Sequence, residues 1–421
     1  MLCVVLQLIV LARSDQFKEF LKENNIVYTT PSELLRRRLI FEQSLREIEE
    51  FNKSPHTFQI GITQFSDQTN EEFQNQFSLT MDRQDEFSLG EFSMDSDEDV
   101  DNSNTDATYI EYNLEQDEEI YGKEMRRKVR GKRYRGVRFM RKVYVPKKYR
   151  IGRKWKFSAK KDKVTELPEG LDFRKFNKLT YVREQTGCGG CWSFASIAAV
   201  EAQYLINYNI TIEDVGRQWA LSEQELLDCC IENNGCEGGS MERAFRCINR
   251  TKGVMPRSRY PYEAETQDCK EFNNEYKEVT VGGYALVPRG NSRAVMSALH
   301  KFGVLGIGVD TRSKLFKHYR GGVYFNEDCT RRGLSHAMNL VGYGTTKDGQ
   351  KFYIIRNSWG DWKWGEDGYM RIFRGNNHCG VETNCFFPLF VRKVGDNPKP
   401  MNYTEKMIKD LVQRSRNGWL H

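Results

Sequence analysis

Two cysteines three residues apart stand before a tryptophan in QTGCGGCWSFA, residues 185–195. Such a pair suits three chemistries: a redox dithiol, half of a zinc site, or a structural cysteine beside a nucleophile. After Cys191, the run CWSFASIAAVEAQYLI sets Trp192, Ala195, Ala199, Ala202 and Ile206 on one stripe, which predicts a buried, Ala-rich helix. Cys191 then sits at or next to a helix N-terminus, where the backbone dipole favours the thiolate. The thiolate is the reactive form, so Cys191 is a candidate for covalent catalysis.

A nucleophilic thiol needs a base, and the chain has six histidines. His336 is the best placed, because LSHAMNLVGYG alternates through Met338 and Leu340 like a strand entering the core. His300 lies on a helix-like stretch, His318, His378 and His421 in polar segments, and His56 in the N-terminal region. A base also needs a group that orients it. FYIIRNSWG offers Asn357 at the end of an apolar strand, where an amide oxygen can accept an imidazole N–H beneath Trp359. Acyl transfer further requires donors at the developing oxyanion, and the Gln185 amide with the Cys191 backbone N–H would supply two.

At 421 residues the chain exceeds one ordinary domain, which implies a large two-lobed domain or a domain with extensions. Most of the eleven cysteines fall between Cys188 and Cys385, a clustering that suggests disulfides and an oxidising compartment. Residues 1–14, MLCVVLQLIVLARS, read as a signal peptide: apolar, but too short to span a bilayer. The competing reading is a truncated N-terminus, since no positive residue precedes the run. No other stretch approaches membrane-spanning length, so no stable membrane insertion is expected. Sequons at Asn52, Asn209, Asn249 and Asn402 agree with a secretory route, lysosomal or extracellular.

The positioning elements follow in order. Residues 15–80 contain SELLRRRLIFEQSLREIEEFN, which predicts a helix with Ser32 as cap, Phe41, Leu45, Ile48 and Phe51 on its apolar face, and Glu33 and Arg37 paired at i, i+4. TFQIGITQFSD then reads as extended. Residues 81–166 change character abruptly: 82–119 are acidic and 123–163 basic. Adjacent blocks of opposite charge read first as a self-neutralising linker. Aromatics inside the basic run, Tyr134, Phe139, Tyr144 and Trp155, also suit a polyanion-binding arm, and RGKR ending at Arg133 suits dibasic cleavage. Globular composition returns over 167–394. Residues 395–421 form a polar tail with one short helix expected at 405–413.

Cys191, His336, Asn357 and Gln185 together resemble the papain-like cysteine proteases, nearest the cathepsin L-type branch. The blocks CGGCW, LSEQELLDC (221–229), GCEGG (235–239), YPYEA (260–264) and NSWGDWKWGEDGYMRI (357–372) carry the resemblance over 167–394. Gly190 stands where the family has Ser or Ala, which implies a looser loop. The resemblance implies a two-lobed α+β fold: a helical lobe with Cys191, a β-barrel-like lobe with His336 and Asn357. It implies no metal and no cofactor, a monomer, and protein or peptide substrates held along Gly238 and Gly239. Met241, Gly308, Ala337 and Asn384 would line the pocket for the second residue before the cleaved bond.

The N-terminal helix resembles the family's inhibitory propeptide, read as Glu33, Arg37, Phe41, Ser44, Ile48, Asn52 and then Gly61, Thr63, Phe65, Asp67. Ser44 and Thr63 replace the usual Asn, an expected loss of two amide contacts. The resemblance implies an intramolecular inhibitor released by acid as carboxylates such as Asp67 and Glu33 protonate. It also implies disulfides Cys188–Cys236, Cys229–Cys269 and Cys329–Cys379. Cys191 is then the nucleophile, and Cys230, Cys247 and Cys385 are left over.

Two rivals lack support elsewhere in the chain. A redox dithiol gives Gln185, His336 and Asn357 no role, and Cys229–Cys230 does not supply a second zinc pair. The serious alternative is a catalytically inactive papain-like binding protein, since a fold does not guarantee activity.

Overall fold

The computed structural model describes residues 15–76, 167–270 and 274–396, and the backbone of short strands at Tyr109–Ile110, Arg138–Met140 and Lys142–Tyr144. The expected signal peptide, nearly all of the acidic and basic blocks, and the expected helix at 405–413 lie outside the described residues.

Helix α1 (Pro31–Asn52) is capped by Thr30, not Ser32: Thr30 Oγ1 accepts the Glu33 N–H at 3.3 Å. Pro31 explains the choice. Its fixed φ and missing N–H suit the first helical position, which puts Ser32 inside the helix. Phe41, Leu45 and Ile48 are buried, and Arg37 Nε reaches Glu33 Oε1 at 2.6 Å. Strand β1 (Phe58–Ile60) and helix α2 (Asn70–Asn75) follow, α2 held by a Thr69–Glu72 capping box.

In the enzyme region, α3 (Cys191–Asn207) is buried along its whole length, not on one stripe. It lies between two cores. One side meets α4 (Glu223–Cys229) and α5 (Met241–Arg250), and the other meets the sheet that α6 (Ser292–Phe302) also covers. A helix packed on both sides needs small or apolar residues on every face, and its buried polar groups are bonded: Ser196 to Trp192 O, Glu201 to Arg183 and Asn207 to Val391 O.

The sheet collects β2 (Lys142–Tyr144), β3 (Gly283–Leu286), β4 (Leu305–Val309), β5 (Tyr319–Tyr324), β6 (His336–Thr345), β7 (Lys351–Arg356), β8 (Tyr369–Phe373) and β9 (Cys385–Leu389). Its spatial order is β1-β5-β8-β7-β6-β4-β9-β3-β2, antiparallel except for β5 with β8. The N-terminal segment therefore supplies one edge strand. Central β6 is buried on both faces from His336 to Gly344, beneath α3.

Four disulfides brace the loops: Cys188–Cys236, Cys229–Cys269, Cys230–Cys247 and Cys329–Cys379. Two of the three leftover cysteines thus bond each other. Cys385 remains a buried thiol, and Cys191 is unbridged.

Candidate active site

Cys191 is the first residue of α3, after Gly190, which offers no side-chain cap. The backbone donors of that first turn include the Cys191 N–H. A Cβ on Gly190 would lie 3.0 Å from Leu227 Cδ2 and 3.2 Å from Cys188 Sγ. The glycine therefore makes no loose loop; Leu227 already fills the space. Gln185 is fully buried and pinned at both ends, its Nε2 donating to Cys188 O at 2.9 Å and its Oε1 accepting from Ser358 Oγ at 2.6 Å. One of its two amide protons is thus used.

His336 begins β6, and Asn357 follows the last residue of β7. His336 Nε2 and Asn357 Oδ1 lie 2.8 Å apart. Ser358 N–H donates to the same Oδ1 at 2.8 Å, which identifies that atom as the oxygen and makes Nε2–H the donor to it. Trp359 stacks on the imidazole, centroids 4.8 Å apart at 27°. His336 is wholly buried, and burial lowers its pKa from 6.5 to about 4, with the Asn357 bond opposing the fall.

Sequence reading missed the charged network beneath these residues. Arg183 pairs bidentately with Glu201 of α3 at 2.7 Å and with Glu223 of α4 at 2.5 Å. Arg257 joins Glu223 at 3.1 Å, and Arg356 reaches Thr180 Oγ1 and Tyr181 O. Burial works against the Arg183 charge, but Glu201 and Glu223 outweigh it and raise its pKa. The network ties the segment before Gln185, the Cys191 helix and the residue before Asn357 into one unit. Glu201, a lone charge within an apolar helix, was the available signal.

The pocket candidates converge on β4. Ala337 pairs with Gly308 across β6 and β4, Gly308 N–H donates to Asn384 O at 3.2 Å, and a Cβ on neighbouring Gly306 would lie 2.5 Å from Met241 Sδ. Gly238 adopts φ +114, and a Cβ on Gly239 would lie 2.7 Å from the Trp192 ring. Both glycines are thus required sterically. As for a metal, Cys329, His378 and Cys379 converge among the described residues, but the Cys329–Cys379 bond occupies both sulfurs.

The N-terminal segment lies against this region. Phe65 and Phe73 meet the Trp359 ring edge-on, at 4.9 and 5.5 Å. Gln64 Nε2 donates to Trp359 O at 2.8 Å, and Lys317 Nζ to Gln68 O at 2.6 Å. Thr63 is buried and its hydroxyl donates to Lys317 O at 2.7 Å, so this position keeps a side-chain bond to the enzyme. The expected acid-sensitive carboxylates divide. The Arg37 hydrogen bond lowers the Glu33 pKa, whereas burial raises that of Asp67 despite the Tyr28 hydroxyl bonded to it. Glu72, not singled out by sequence, is driven to about 2: burial opposes this, but the Thr69 N–H, Arg36 and Arg37 prevail.

The papain family cysteine protease profile matches residues 167–389, and the cathepsin propeptide inhibitor domain (I29) profile matches 17–73. Similar curated proteins include a cathepsin L-like peptidase of Aedes aegypti and cathepsin K of Mus musculus, each 38% identical over 53% of this chain. The match spans 64 and 65% of those relatives' own lengths. Among solved structures, digestive procathepsin L 3 of Tenebrio molitor superposes with TM-score 0.64 at 27% identity, covering 90% of this chain and 99% of its own. Recombinant stem bromelain precursor gives 0.62 at 28%, covering 90 and 99%. With both profiles matched in order along the sequence, the chain belongs to the papain family of cysteine proteases with an I29 propeptide inhibitor domain.

Proposed function

We propose that the chain is the zymogen of a cysteine endopeptidase. The observation that carries this reading is the His336–Asn357 hydrogen bond of 2.8 Å beneath Trp359, with His336 on the strand that packs against the Cys191 helix. With Nε2–H committed to Asn357, Nδ1 is the nitrogen that exchanges a proton with Cys191. The Cys191 thiolate attacks a peptide carbonyl carbon, and the oxyanion takes the remaining Gln185 amide proton and the Cys191 backbone N–H. Imidazolium His336 protonates the leaving amine, leaving an acyl-enzyme. Neutral His336 then takes a proton from water, which hydrolyses the thioester and restores the thiolate.

In the closed form, burial favours neutral His336. Departure of the propeptide rehydrates the ring, and the thiolate–imidazolium pair forms because each charge favours the other. An extended peptide runs along Gly238 and Gly239. Its second residue before the cleaved bond enters the pocket of Met241, Gly308, Ala337 and Asn384, where the Asn384 amide admits a polar side chain. Four disulfides support a secretory-route location, lysosomal or extracellular.

The test is digestion of an unfolded protein by acid-treated chain, with the new termini read by mass spectrometry. Internal cuts that vanish in Cys191→Ala and His336→Ala are expected. Cutting unaffected by Cys191→Ala would remove the proposal.

A further inference from the structure

His318 lies where the N-terminal segment meets the enzyme, immediately before β5. Sequence reading placed it in a polar stretch, yet only 2% of its surface is exposed. Its carbonyl accepts Gly61 N–H at 2.8 Å, and its Nδ1 lies 3.5 Å from Ser66 Oγ. Ser66 Oγ also accepts Thr63 N–H at 3.0 Å, which ties the His318 ring to the turn at residues 63–66. Nε2 is buried without a hydrogen-bond partner. This pocket suits a neutral imidazole. A second ring proton would place a full charge in this buried pocket beside two lysines, and the Gly61 backbone, which favours that charge, does not outweigh burial and Lys317.

The surrounding charges do not compensate. Lys317 and Lys314 lie beside the ring on the enzyme side, and Lys317 is itself buried. From the N-terminal segment, Glu47 of α1 is held by Lys314 at 3.3 Å, Asp67 takes the Tyr28 hydroxyl, and Glu72 takes Arg36 and Arg37. On the remaining neighbours, Arg320 of β5 donates to Trp362 and Lys363 carbonyls, and Glu366 is held by Arg371. Among the described residues no carboxylate is bonded to His318.

We propose that His318 is an acid sensor on the enzyme side of the interface, whose protonation expels the segment 61–68 and couples propeptide release to mildly acid pH. This rests on reading that segment as the inhibitory propeptide. Burial first, then Lys317, lowers the His318 pKa from 6.5 to about 3 in the docked form. A docked value below the free one means docking loses strength as pH falls through the free value, levelling only near the docked value. From pH 7 to pH 5 that linkage weakens docking roughly 25-fold. Carboxylates cannot supply this window. Glu33, Glu47 and Glu72, all lowered, act below about 4.5, and raised Asp67 acts with the opposite sign. Lys317, held at about 8, is protonated throughout the interval.

The test uses the full chain carrying Cys191→Ala, so it needs no peptidase activity. Hydrogen exchange at the Gly61 and Thr63 amides, corrected for intrinsic rates, is compared at pH 7 and pH 5 with and without His318→Gln. Protection falling roughly 25-fold in the parent and within about threefold in His318→Gln is the expected result. An equal fall in both, or none in the parent, overturns the sensor. Should His318→Gln already lack protection at pH 7, ring titration of His318 in the parent decides. Absence of titration down to the pH of opening supports the sensor, and a value near 6.5 with the segment still protected overturns it. Failure of the peptidase reading would instead appear in the digestion assay and leave these amides untouched.

Discussion

The strongest lever on the closed state is Phe73. It is fully buried, 5.5 Å from Trp359 across the interface and 5.0 Å from Phe65 within its own segment. Truncating a buried Phe to Ala costs roughly 3–5 kcal/mol in total. Part of that packing is against Phe65 and is retained when the segment leaves, so the share borne by docking is about 2–3 kcal/mol. The opening equilibrium of Phe73→Ala then rises roughly 30- to 150-fold, at 1.4 kcal/mol for each factor of ten. The assay is the rate at which a thiol trap labels Cys191 in the intact zymogen at pH 7, followed by mass. Val27→Ala is the control, because Val27 is 83% exposed and its change should stay within about threefold. A Phe73→Ala rate within that same range would show that the aromatic contact on Trp359 does not hold the site closed.

Other consequences concern chemistry, acidity and disulfides. Asn357→Ala removes a hydrogen bond to an imidazolium, about 1.5–3 kcal/mol, so kcat should fall roughly 10- to 150-fold with KM little changed. Gln185→Ala should lower kcat by about 10²–10³-fold in steady-state cleavage of a peptide, and a loss below tenfold would take Gln185 out of the oxyanion site. Glu72→Gln should destabilise the N-terminal segment at pH 7 and flatten its acid melting. The wild-type carboxylate stabilises above 4.5 and loses that contribution as pH falls toward about 2; circular dichroism against pH reads the difference. Replacing Cys230 and Cys247 together by Ser opens a crosslink of sequence separation 17 and should cost about 3 kcal/mol in denaturant unfolding, with Cys191 labelling of the released enzyme unchanged.

Local chemistry made much of the site legible. Cys191 before an Ala-rich run announced a buried helix, and His336 and Asn357 each adjoined an apolar strand. What sequence could not reveal depended on three-dimensional neighbours. Ser32 looked like a cap until Pro31 claimed the first helical position. Gly190 looked permissive, but Leu227 crowds it. His318 stood in a polar segment, and two of its neighbours, Gly61 and Ser66, lie far away in sequence. Arg183 and Arg356 gave no sign of sharing one buried network, since their partners lie on three separate elements. Asp67 and Glu33, alike as acidic residues, acquire opposite pKa shifts from burial and from Arg37.

The central claim is that Cys191 becomes a nucleophile once the N-terminal segment is gone. Acid-treated chain, with loss of that segment confirmed by mass, is exposed to an epoxysuccinyl thiol trap beside Cys191→Ala. One adduct mapped to Cys191, absent from the variant and accompanied by loss of cleavage of a fluorogenic peptide, is the predicted result. An unlabelled Cys191 in fully released protein would contradict the account and leave a papain-fold binding protein in its place.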